Sequence, residues 1–183
     1  MIEEEVRAEL LLLWGAYEFL LENDLSDISS TSRLLRGGDA DYLRDRLAQE
    51  MLELAGVLTG EHRHNGLPQD VILEGSQVCY WLYLLALSEG LSFAQLQPDV
   101  HLVQSAGSGM NERQTAATLK AASQTVQSKQ QGELLPILQW VLGLVGHCLT
   151  LFSIETAELI DHDLAQMRMR PFMDAYFARW GNG

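Results

Sequence analysis

The stretch AQEMLELAGVL, residues 48–58, carries apolar side chains at helical spacing and decides the class of the fold. Met51, Leu52, Leu54, Val57 and Leu58 supply its hydrocarbon surface. Glu50 and Glu53 lie three residues apart and so share a face. Two carboxylates on a helix that packs this much hydrocarbon are costly unless a counter-charge or a cation meets them. Upstream, Asp39 or Asp41 can cap this helix, predicted over residues 40–58, and Gly60 can end it.

The same periodicity extends outward in both directions. A helix is predicted over residues 3–23, with Leu10, Leu11, Leu13, Trp14, Tyr17, Leu20 and Leu21 in one broad stripe. NDLSDISSTSRLLRGGD, rich in cap and turn formers, reads as a loop with a helical turn at residues 31–35. After the polar connection TGEHRHNGLP, a helix is predicted over residues 68–89, with Pro68 in its first turn and Gly90 as its stop. A short helix capped by Ser92 follows. QSAGSG, residues 104–109, is the linker candidate. Beyond it come a polar helix over 111–130, an apolar helix over 133–152 and a last helix over 154–180, the last two nearly continuous. No alternating strand pattern occurs. The expectation is an all-α helical bundle.

Composition narrows the function. The 183 residues are 47% hydrophobic and 20% charged, as in a folded globular chain, with a formal net charge of −13. That charge repels phosphate backbones and argues against a nucleic-acid partner. A small anionic substrate remains compatible if a cation bridges it. Glu3, Glu4 and Glu5 stand where a signal peptide has its basic start. The longest apolar runs, WLYLLAL and ILQWVLGLVGHCLTLF, are read as too short for a membrane span. Cys79 and Cys148, both in apolar helical stretches, read as buried thiols of a reducing cytoplasm.

From Val71 to Leu87 the helix over 68–89 is strongly apolar except for Glu74, Ser76 and Gln77. Two antiparallel helices, one bearing Glu50 and Glu53 and the other Glu74 and Gln77, can aim oxygen ligands at one point. Such a cage suits a hard cation, Mg²⁺ or Mn²⁺. The competing reading is a set of solvated glutamates on amphipathic helices.

SSTSRLLRGGDADYLRDRLAQEMLELAGVLTG, followed by LEGSQVCYWLYLLALSEGLSFAQL, resembles phosphoribosyl-ATP pyrophosphohydrolase and the wider MazG-type all-α nucleoside-triphosphate pyrophosphohydrolases. Ser32, Arg33, Leu34, Leu35 and Gly37 or Gly38 match the pattern's start. Gln49-Glu50-x-x-Glu53 matches the first acidic motif, and Glu74-x-x-Gln77 the second. The resemblance covers about residues 8–98. It implies a Mg²⁺- or Mn²⁺-dependent hydrolase cleaving a nucleotide between its α- and β-phosphates. Glu50, Glu53 and Glu74 would be metal ligands, Gln49 and Gln77 weak or supporting ones, and Arg33 or Arg36 would steady the phosphates. Arg44 and Arg46 are further candidates for the basic positions. Two departures stand out: Gln49 and Gln77 replace acids of the pattern, and Gln offers an oxygen without charge. The alternative is therefore a catalytically impaired descendant that binds nucleotide or serves as a scaffold.

A weak internal repeat sets EGSQVCYWLYLLAL from Glu74 beside ELLPILQWVLGLVG from Glu133, aligning Trp81 with Trp140. Residues 1–103 then form a MazG-like helical unit, and 110–183 a degenerate second unit packed on it. Since members of the resembling family build bundles from two or more subunits, a homodimer is the expected assembly, or the second half takes that role in cis. His62 and His64 read as a solvated loop pair, or a transition-metal pair short of a third ligand. His147 and Cys148 read as core. DHDLAQMRMRP, residues 161–171, reads as a solvated helix or a phosphate contact, and FMDAYFARW as an aromatic tail that docks on the bundle or on a partner.

Overall fold

Apolar periodicity becomes helix along most of the chain in the computed structural model, which describes residues 2–104, 109–128 and 134–181. Helix α1 spans Ile2–Glu22, α2 Ser30–Gly37, α3 Ala40–Thr59, α4 Gln69–Ser88 and α5 Phe93–Leu96. They are followed by α6 Pro98–Gln104, α7 Glu112–Gln127, α8 Leu134–Leu151, α9 Thr156–Arg168 and α10 Asp174–Trp180, with a 3-10 turn at Pro171–Met173. Among the described residues there is no strand, so the class is all-α.

The helix ends follow local chemistry. Asp39 caps α3, its side chain accepting from the Tyr42 amide at 2.9 Å. Gly60 ends α3 in the left-handed region at φ 76°. Ser92 with Gln95, and Asn111 with Gln114, form reciprocal capping boxes at the starts of α5 and α7.

Hairpins α3–α4 and α7–α8 form the centre: α7 lies along α3, and α8 packs on α4 and α6. Helix α1 covers the same core from the side of α9, with α2 across one end. One buried cluster runs through all of them, from Leu10 and Tyr17 through Met51, Leu54 and Tyr83 to Leu138, Leu142 and Val145. Gly146 lets α6 cross α8, since a Cβ there would collide with the Leu102 carbonyl oxygen. The aromatic tail docks on the bundle: the Tyr176 hydroxyl donates to the Leu12 carbonyl at 2.7 Å, and its ring tilts against Phe19.

Several elements differ from the sequence expectation. The turn at 31–35 is a two-turn helix, α2, because the Ser29 side chain caps the Ser32 amide and the Ser32 hydroxyl ties back to Asn23. Helix α6 follows α5 directly, across Gln97 at φ 51°. The chain breaks between α8 and α9 at Ser153, φ 55°, instead of running on. The helix predicted over 154–180 is split, because Pro171 lacks an amide hydrogen and holds Arg170 in extended backbone.

Two apolar helices, α4 with 20 residues and α8 with 18, are long and apolar enough to cross a membrane, which corrects the reading of their runs as too short. The runs were measured between polar residues, whereas the helices extend past them; most of each apolar window is buried inside the protein. Cys79 and Cys148 are buried free thiols. Burial raises both, the Cys148 thiol up to about 12. Trp81 is 7% exposed and Trp140 37%, so the two aligned tryptophans sit in different surroundings. Glu133, the aligned partner of Glu74, lies outside the described residues.

Candidate metal centre

Glu50 and Glu53 project from α3, and Glu74 from α4. One carboxylate oxygen of each lies within 4.8 Å of the others. Glu50 and Glu74 are buried and Glu53 is half-buried. Side-chain packing of α3 on α4 brings these groups together, as the spacing predicts. Burial is the main influence on Glu50 and raises its carboxyl above the usual range; Arg46 opposes this, and the charges of Glu53 and Glu74 add to it.

The connection between α3 and α4 completes the cluster. The Asp70 carboxylate accepts from the backbone amides of His64, Asn65 and Gly66 at 2.8–3.0 Å, folding the loop back over α4. Those amides hold the Asp70 carboxyl below its usual range. Gly56 lets the loop approach α3: a Cβ there would stand 2.9 Å from the His62 Cβ, and the His62 amide donates to the Gly56 carbonyl. Two imidazoles thereby reach the acids. His62 Nε2 lies 3.2 Å and His64 Nε2 3.4 Å from Glu74 Oε1, and 2.8 Å from each other. His62 Nε2 is also 3.7 Å from Glu53 Oε2. His64 is exposed and His62 half-buried, as a loop pair predicts, but the pair is not short of a third group: Glu74 lies beside both. The H-x-H spacing between two acid-bearing helices was the available signal, and the loop path that closes it is set by Asp70 and Gly56.

Arg46 is the cation of the cluster. Its guanidinium reaches Glu50 at 2.5 Å, donates to the Gln49 side-chain oxygen and lies over the Trp81 ring at 4.8 Å. Gln49 in turn donates to Glu53 at 3.1 Å. The other predicted site residues lie elsewhere. Arg33 donates to the Ser26 carbonyl, and Arg36 to the Leu21 carbonyl and toward Asp24, so α2 uses both on its own loop. Arg44 is buried beside Glu89. Gln77 lines a cavity between α1, α2, α4 and α9. It shares a sector of α4 with Leu73 and Tyr80, and Glu74 one with Trp81, so three residues of spacing put the two polar groups at different neighbours.

No family model, no curated protein and no solved structure matches this chain.

Proposed function

We propose that Glu50, Glu53 and Glu74, with His62 and His64, form a divalent-metal centre that serves the hydrolysis of a nucleotide to its monophosphate and pyrophosphate. The observation that carries the metal part is a pair of three-group clusters sharing Glu74, one of Glu50, Glu53 and Glu74 and one of His62, His64 and Glu74. The reaction class rests on the resemblance of residues 8–98 to MazG-type pyrophosphohydrolases. Carboxylate oxygens alone suit Mg²⁺; imidazole nitrogens beside them favour Mn²⁺ or a later transition metal. These residues would hold the ion, which would supply positive charge against the phosphates and make water a better nucleophile.

The chain's own groups have separable roles. Glu50 and Glu74, both buried, hold fixed charge. Glu53 is half-buried and can take the proton of the attacking water. Water adds to the α-phosphorus, the bond to the bridging oxygen breaks, and pyrophosphate leaves. Arg46 takes the phosphate-steadying role first expected of Arg33 or Arg36, because it is the arginine that touches the cluster.

A second reading has its own support. Arg46 already balances Glu50, and Gln49 already bonds Glu53. An acid cluster with such internal partners fits a descendant that binds nucleotide or acts as a scaffold without turnover. Two measurements separate the readings: calorimetric titration with Mn²⁺ and Mg²⁺, and pyrophosphate release from a panel of nucleoside triphosphates. Metal binding with release, both lost in Glu74→Gln, supports the enzyme. Metal binding without release supports the descendant, and no metal binding rejects the centre.

A further inference from the structure

Asp163 is 8% exposed, and among the described residues it has no hydrogen-bond or ion-pair partner. Its carboxyl lines a cavity of about 410 Å³. Two more polar groups without a hydrogen-bond partner among the described residues line the same space: the hydroxyl of Tyr17, itself 1% exposed, and the side-chain amide of Gln77. Buried polar groups are ordinarily paired, and an unpaired carboxyl is the most costly kind to leave alone. Two of them, on α1 and α9, with the half-buried Gln77 of α4 at the side of the same cavity, describe a recognition surface.

We propose that this cavity binds a small planar ligand presenting two adjacent N–H donors, an amidine, a guanidine or a 2-amino-lactam ring, to the Asp163 carboxylate. A carboxylate pairs with two coplanar N–H groups through both oxygens at once. Gln77 offers a donor and an acceptor for the ligand's next positions. Tyr80, whose hydroxyl is bonded to Thr31 at 2.9 Å, and Phe172 give the space aromatic walls. The net charge of −13 raises the local concentration of cations. Burial pushes the Asp163 carboxyl up to about 8, so pairing with a cationic or N–H-donating ligand goes with loss of its proton to solvent. The groups around it include Tyr17 from α1, Cys79, Tyr80 and Tyr83 from α4, His162 in the middle of α9 and Arg170 beyond its end. Neither Arg170 nor His162 is ion-paired with Asp163, so a ligand displaces no internal bond there.

The site is independent of the metal cluster, and its test uses the full chain without added metal. Benzamidine and guanosine are titrated by calorimetry, with adenosine, whose ring edge lacks adjacent N–H donors beside a carbonyl, as the control. Binding of benzamidine alone identifies an amidine-type ligand, and binding of guanosine a purine-lactam edge; either supports the cavity's role. Asp163→Asn keeps the shape and swaps one acceptor for a donor, so affinity should fall by about tenfold or more. Gln77→Ala, on the half-exposed side of the cavity, gives a second readout should the first variant fold poorly. Binding that survives both substitutions, adenosine binding as tight as guanosine, or no binding by either probe overturns the proposal.

Discussion

Gln49 and Gln77 both stand where the resembling pattern has an acid, and they occupy different places in the molecule. Gln49 bonds Glu53 and Arg46 at the acid cluster, while Gln77 faces the Asp163 cavity. Restoring an acid at each should therefore have different results. Gln49→Glu loses the bond to Glu53 and adds repulsion, costing about 1 kcal/mol without metal. It should enlarge the Mn²⁺-induced rise in melting temperature. Gln77→Asp should leave that rise unchanged. Calorimetric melts with and without Mn²⁺ check both, and an enlarged metal response in Gln77→Asp would place it among the ligands after all. Asp163 gives a second residue-scale prediction. Its folded pKa is raised to about 8, against about 3.9 in an unfolded chain. Between those values the folded state holds a proton that the unfolded state has lost, so this contribution to stability falls as pH rises from about 4 through 8. Asp163→Asn removes that slope. It should change stability little near pH 4 and raise it by on the order of 4 kcal/mol near pH 8. Parallel melting curves of the two proteins across that range would show an ionised, solvated Asp163.

At the scale of elements, the loop between α3 and α4 makes an acidic helix pair into a mixed carboxylate–imidazole cluster. Gly56→Ala tests this. The added methyl improves helix propensity by about 1 kcal/mol but meets the His62 Cβ at 2.9 Å. The loop must shift, so Mn²⁺ affinity should fall by roughly tenfold or more while the melting temperature moves little. Unchanged affinity would mean that the imidazoles are dispensable. The same loop shows what the sequence could and could not disclose. Glu50, Glu53 and Glu74 were legible because helical spacing and one short connection restrict their relative positions. The histidines were not placed, because the loop path depends on non-helical hydrogen bonds to Asp70, which carries no periodic signal. Gln77 misled for a related reason. A polar residue three places from Glu74 shares its side of α4 in a broad sense, yet the packed neighbours divide that side between α3 and α9. Helix breaks at Ser153 and Pro171 separate two kinds of signal: Pro171 is a stop that can be read directly, whereas a left-handed serine at φ 55° has no residue-type signal, and α8 and α9 on either side of it each pack on α4.

For the molecule as a whole, the question is whether the two halves are independent. Leu119, Ala122 and Val126 of α7 are buried, and α7 lies along α3. Leu138, Leu142 and Val145 of α8 join the same buried cluster as Val78, Leu82 and Leu85 of α4. Each large aliphatic side chain withdrawn from such a core loses about 1.5–3 kcal/mol. Separation of the halves would expose many at once. A protease site introduced at residues 105–108 cuts the linker without removing any of these contacts. We expect the two fragments to remain together in gel filtration and to melt in one transition, at a lower temperature because the cut raises the entropy of the unfolded chain. Added denaturant should separate and unfold them together, since neither hairpin can cover its own apolar face. Two fragments that part in native buffer, each folded and monomeric, would instead establish a pair of separate domains. The acid cluster would then belong wholly to the first, with α7 no part of its support.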